Sequence, residues 1–335
     1  MVELNNELKT VQEVISLIEE GRQLVINGEV KLLEQLPKGN WIGATESYFY
    51  LEGQKGCFDE SKLFVSDFTN ISKSIKIQTY TEENIQHVSS NGFENGFNFL
   101  VLPAQSDIQL SFALNSPNYE QLYKNPLLGL IAGTNLEKFS KGEPSKVFNG
   151  ILGESYSDKG VALHVELEER FVARLEIVNV FEANTTATVE VEQTDFVIEE
   201  CLIDGKKVNL YDYLQEHNID ISFPLVCDYS GATINTSFQR LEEQSKKVVF
   251  YAPLFAGKKY KFAKPLNNYK EQFRTKVEQA DIKKETMIYN CNCILNYLYG
   301  ELEKGDIGFS GPTTFGEIAY HLINQTFTYL LIDEK

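Results

Sequence analysis

Four histidines, five cysteines and one acid beside a glycine are the residues of this chain best suited to chemistry. His87, His164, His217 and His321 lie far apart, and none forms a His-x-x-x-His pair. His164, inside the alternating run "VALHVEL", and His321, near the C-terminus, are the two that could ligate haem iron or a metal. A hydrogen-bonded structural histidine is the more frequent use of such a residue. Cys291 and Cys293 flank a single residue, where zinc and redox pairs usually leave two. Small buried hydrophobes are the commoner role for such cysteines. With a lowered pKa and a base nearby, either could instead act as a nucleophile, with Glu317 as acid or base. Glu317 follows Gly316 in "TTFGEI". The glycine permits close backbone approach, and the carboxylate could accept from an amine or guanidinium ligand or from neighbouring amides. Ser310, Thr313 and Thr314 add hydroxyls at the same turn. The sequence has no phosphate loop, dinucleotide fingerprint or Gly-x-Ser-x-Gly elbow.

The elements that must position these residues belong to a chain of 335 residues, 42% apolar and 12% aromatic, enough for a large core. At roughly 150 residues per domain, about two domains are expected. The net charge of −17 repels phosphate backbones and anionic lipid, so nucleic acid and membrane surfaces are poor partners. The odd cysteine count, the acidic N-terminus and the lack of an apolar run near 20 residues point to a cytoplasmic protein.

Leu8, Val11, Val14, Ile15 and Ile18 recur at helical steps, and Gly21 stops the pattern. "QLVING", "FNFLVLP" and "TFTYLLI" read as strands, and "TEENIQHVSSNG" reads as a helix capped by Thr81. "KLFVSDF" and "SIKIQTY" look like paired strands, and "KKVVFYAPLFAGKKYKFAK" like a hairpin turning at Gly257. Residues 127–192 are strand-dominated. Tyr269, Phe273, Val277 and Ala280 share one helical face. There is also an internal echo. "GNWIGATESYF" leading to "KLFVSDF" resembles "GDIGFSGPTTFGEI" leading to "TFTYLLI".

The C-terminal part resembles the C-terminal half of FIST domains, intracellular sensory domains of bacterial signal-transduction proteins. The matching segments are "MIYNCNCILNYLYGEL", "GFSGPTTFGEI" and "INQTFTYLLI", preceded by "CLIDGKKVNLYDYLQEH". They would place the family's cysteine at Cys291, its turn acid at Glu317 and its Asn-Gln-Thr at Asn324, Gln325 and Thr326. "LPKGNWIGATESYF" is similar to a set of bacterial proteins taken as FIST relatives. The chain departs from these patterns at Ala44, Ser47 and Ile323, which replace a glycine, a proline and a histidine. An arginine usual after the cysteine is also missing.

The expected fold is mixed α/β (α+β), with two related halves, residues 1–194 and 195–335. Each half would be a mainly antiparallel sheet covered by helices. The resemblance implies a sensory protein that binds a small, amino-acid-like metabolite and signals through a partner protein. The ligand site would comprise Trp41, Gly43, Thr45, Cys291, Ser310, Thr313, Thr314, Phe315 and Glu317. Trp41 and Phe315 would form apolar walls, and Thr45 and Glu317 polar contacts. No cofactor or metal is required on this reading. A haem-dependent gas sensor using His164 or His321, and an enzyme using Glu317 with Cys291 or Cys293, are the alternatives.

Overall fold

The computed structural model describes residues 6–229, 232–280 and 282–335. The chain is mixed α/β with mainly antiparallel sheets. The first helix, Val11–Glu19, starts at a capping box, in which the Thr10 side chain accepts from the Glu13 N–H and the Glu13 carboxylate accepts from the Thr10 N–H. Its apolar stripe buries Val14 and Ile18. Strand Leu24–Gly28 is buried along its whole length, because it lies between Leu63–Asp67, antiparallel, and Trp41–Thr45, parallel.

That arrangement occurs three times. Each unit runs strand, helix, strand, helix, then four strands; in the second unit the first helix is only a 3₁₀ turn, and a further helix, Leu136–Ser140, separates its third and fourth strands. The first unit contains strands Asn6–Lys9, Leu24–Gly28, Trp41–Thr45, Tyr48–Tyr50, Cys57–Phe58 and Leu63–Asp67. The second contains Ser72–Tyr80, Gly96–Pro103, Leu127–Ala132, Val147–Asn149, Glu154–Tyr156 and Gly160–Leu167. The third contains Phe171–Val178, Met287–Cys293, Gly311–Thr314, Glu317–Ala319, His321–Ile323 and Phe327–Glu334. In every unit the first, sixth, second and third strands lie side by side, and the second and third are parallel.

The fourth and fifth strands of each unit leave home. The hairpin 48–58 pairs with Gly311–Thr314 of the third unit. The hairpin 317–323 pairs with Leu127–Ala132 of the second, and 147–156 pairs with Trp41–Thr45 of the first. Three six-stranded sheets are thereby locked by a cyclic exchange of hairpins. Their inner faces meet in one core, with Val25 and Ile42 from the first, Phe99, Leu128 and Leu130 from the second, and Tyr289, Cys291 and Leu330 from the third.

The third unit alone carries a large insertion, between Phe171–Val178 and its helix Tyr269–Gln279. Residues 183–263 form a six-stranded antiparallel sheet and a three-stranded one around helix Leu210–Glu216, with their own apolar core.

Several expectations change. The echo between residues 41–67 and 311–334 is real in position, but it links two of three units rather than two halves. Hydrogen-bonded ladders cross the expected 194/195 boundary, because Phe171–Val178 pairs with Phe327–Glu334. Leu63–Asp67 and Ser72–Tyr80 do not pair with each other; they join different sheets. The strands on either side of Gly257 likewise diverge, Lys247–Leu254 into the three-stranded sheet and Tyr260–Ala263 into the larger one. Residues 81–92 give only a short 3₁₀ turn, Ile85–His87, where Asn84 takes the Thr81 N–H on its side chain. Among the described residues no helix is long and apolar enough to cross a membrane.

Candidate functional site

The turns that carry the chain from its own sheet to the neighbouring one come together. The Gly133 N–H donates to the Thr45 carbonyl at 2.9 Å, and the Phe315 N–H to the Ile131 carbonyl at 3.1 Å. A Cβ on Gly133 would lie 2.0 Å from the Phe315 ring, so this glycine is where the three crossovers touch. Thr45, Phe315 and Glu317 are therefore neighbours in the fold. Thr45 Oγ1 is occupied by the Lys146 backbone, and Thr314 Oγ1 donates to the Gly316 carbonyl. Thr313 is fully buried opposite Asn292.

Trp41 and Ser310 lie elsewhere. Trp41 is 2% exposed, stacks on Phe148 and donates its indole N–H to the Pro37 carbonyl. It belongs to the small core under helix Val11–Glu19, and Gly43 packs beneath its ring. Ser310 sits at a surface turn, where its hydroxyl accepts from the Glu52 N–H.

Glu317 is fully buried. Its Oε1 accepts from the Thr326 N–H at 2.9 Å and the Thr326 hydroxyl at 2.6 Å, while Oε2 has no hydrogen-bond partner. Burial pushes its pKa up to about 8, so it carries a proton at neutral pH. A second buried acid, Glu46, lies in the first unit's crossover, with Oε1 on the Ser47 and Tyr48 N–H groups and Oε2 unpartnered. Burial raises its pKa well above the usual carboxylate range too. Sequence reasoning passed over Glu46, although each copy of the echo carries an acid close to its turn. Cys291 and Cys293 are buried free thiols whose pKa values burial pushes well up. They stay protonated at neutral pH, unlike the lowered-pKa thiols that act as nucleophiles.

The two candidate histidines are held by hydrogen bonds on both ring nitrogens. His164 contacts Tyr80 OH at 2.9 Å and Asn98 Oδ1 at 2.6 Å, and burial lowers its pKa to about 3. His321 contacts Tyr123 OH at 2.6 Å and Ser116 Oγ at 3.4 Å, and burial lowers its pKa to about 4. Among the described residues no group of three His, Cys, Asp or Glu side chains could hold a metal ion.

One open concavity is a groove of about 1030 Å³ between the third unit and its insertion. Strand Phe171–Val178, the hairpin around Tyr320, helix Tyr269–Gln279 and strands Leu225–Tyr229 and Tyr260–Ala263 all contribute lining residues. Tyr123, 65% exposed, stands at its mouth, in ring contact with Tyr320 and His321. Tyr320 has φ +62°, a left-handed conformation that costs a non-glycine residue about 1 kcal/mol or more. The carboxylates Glu176 and Glu182 are each satisfied by a cation, Arg174 and Lys264. Lys261 bonds the Thr188 hydroxyl. Lys259 and Lys276 line the groove with no ion-pair partner among the described residues. The sequence signal was faint. "KKYK" places Lys259 and Lys261 on one strand face, but their meeting with Lys276 depends on the insertion.

The groove is wired to the buried acid. Asn179 and Asn235 exchange side-chain hydrogen bonds of 2.7 and 3.0 Å, and Asn235 also donates to the Gln325 carbonyl at 3.2 Å. The Gln325 side chain bonds Ser237, Tyr269 and the Ser222 carbonyl. The next residue, Thr326, is the one that holds Glu317.

No curated protein sequence is significantly similar to the chain. A family profile described as a family of unknown function, DUF6976, matches residues 9–333. With nearly its whole length inside that match, from the first helix to the last strand, the chain belongs to the DUF6976 family.

Proposed function

We propose that the protein is a sensory-type binding protein and that its ligand, an acidic one, occupies the groove walled by the insertion. One observation carries this reading. Among the described residues Lys259 and Lys276 make no close ion pair in an open, aromatic-lined groove of a chain of net charge −17, although Lys276 helps to lower the Glu182 pKa and Asp228 lines the same groove. Ammonium groups without a close carboxylate contact in a concave site favour an anionic ligand. The resemblance of residues 195–333 to FIST sensory domains supports the same class of function. The crossover turns around Glu317 act as the rigid hub behind the groove, because their polar groups face protein rather than solvent. A partner protein would read the bound state through the Asn179–Asn235–Gln325 contacts.

Calorimetric titration with glutamate, citrate and acidic peptides tests this. The double reversal Lys259→Glu with Lys276→Glu is expected to weaken the best binder at least about tenfold, since each lost charge contact is worth on the order of 1 kcal/mol. An affinity unmoved by the reversal would place the ligand elsewhere.

A further inference from the structure

The groove runs along a free strand edge. Phe171–Val178 is the end strand of its sheet and pairs with Phe327–Glu334 on one side only. Residues from both of its faces line the groove, Leu175 and Ile177 from one, Glu176 and Val178 from the other. Side chains alternate across a strand, so a groove touching both sets must follow the edge itself. Among the described residues no other backbone group bonds the outward N–H and C=O groups of residues 172–178. Such an edge is a template for another strand, and proteins usually shorten, charge or cover it. Among the described residues the equivalent edge of the first unit is Asn6–Lys9, and that of the second carries Lys73 and Lys76. The third unit's edge is instead walled by the insertion that no other unit has.

Resting on the reading of the groove as an acidic-ligand site, we infer that its occupant is an extended, acidic peptide segment of a partner protein, added as a strand along residues 174–179. Strand addition draws affinity from main-chain hydrogen bonds and specificity from side chains alternating into flanking pockets. The lining from Leu175 to Asn179 leaves room for about five residues at roughly 3.4 Å each. Acidic side chains on that segment would reach Lys259 and Lys276. Their apolar neighbours would pack on Ile177 and Tyr229.

The test uses the full chain and an acetylated, amidated heptapeptide of alternating Glu and Val. Two further peptides carry N-methyl groups on one or the other set of alternate amides, and citrate serves as a small anion. The parent peptide is expected to bind and to slow amide hydrogen exchange at alternate residues of 172–178 at least about tenfold. One of the two methylated peptides is expected to lose binding, because its ladder N–H groups are gone. Lys259→Glu with Lys276→Glu should weaken the parent and favour the Lys/Val counterpart. If citrate and both methylated peptides bind as well as the parent and exchange is unchanged, strand addition is overturned while the acidic-ligand reading stands. If none of these probes binds, both fall.

Discussion

Glu317 holds its proton at neutral pH because burial costs the carboxylate more than Thr326 returns to it. The sign of the resulting pH dependence follows from linkage. A carboxyl whose folded pKa, about 8, lies above its ordinary value of 4.5 stabilises the fold fully below that ordinary value. The contribution is lost as pH rises from about 4.5 to about 8, at up to roughly 1.4 kcal/mol per pH unit. Glu46 adds a slope of the same sign. Urea midpoints measured between pH 5 and pH 8 should therefore fall with pH, and Glu317→Gln should flatten part of that fall at little cost near pH 5. An unchanged slope in the variant would mean that Glu317 is ionised in the fold. Asn235→Ala, which removes two of the Asn179 side-chain hydrogen bonds and releases the Gln325 carbonyl, should cost about 1–3 kcal/mol in the same measurement. Glu317 was visible in the sequence from its neighbouring glycine. Its true partner, Thr326, was not, because a nine-residue separation says nothing about which backbone faces the acid.

The hairpin exchange explains why the elements were easier to read than their pairing. Alternation or a continuous apolar run marked many of the strands, but Asn6–Lys9 was missed because Leu8 falls in step with the helix that follows. The echo matched strands 41–45 and 311–314 because both end in a short crossover of two residues. The second unit escaped notice because its crossover, residues 133–146, is long and carries helix Leu136–Ser140. Local periodicity holds no information on which distant sheet receives a hairpin, so the neighbours of Leu63–Asp67 and Tyr260–Ala263 were misread. Close backbone approach within the second unit gives a test at this scale. A Cβ on Gly129 would lie 1.8 Å from the Leu100 carbonyl oxygen of the adjacent parallel strand. Gly129→Ala should therefore destabilise by more than about 3 kcal/mol or abolish soluble folding, as judged by circular dichroism and thermal melting. A melting temperature within a few degrees of the parent would contradict the register.

At the scale of the whole molecule, the three sheets share one core and trade strands in a ring, so the chain should unfold as one body apart from its insertion. Fragments 1–194 and 195–335 are each expected to be unfolded alone by dispersion of their amide NMR spectra. Each lacks strands that complete its own sheets, because the other fragment holds them. Two well-dispersed fragment spectra would show that the hairpin exchange is dispensable. The groove lay beyond sequence reading for the same reason. Its lysines, tyrosines and strand edge come from segments between residues 123 and 321, brought together by an insertion whose placement only the fold defines.

The central claim is that ligand binding belongs to the groove and not to the crossover hub. Amide chemical-shift mapping of the full chain during titration with the Glu/Val heptapeptide tests it most directly. The account predicts that perturbations concentrate at residues 174–183, 226–229, 259–261, 276–280 and 319–321. Shifts concentrated instead at residues 41–47 and 311–317, with the groove silent, would contradict it.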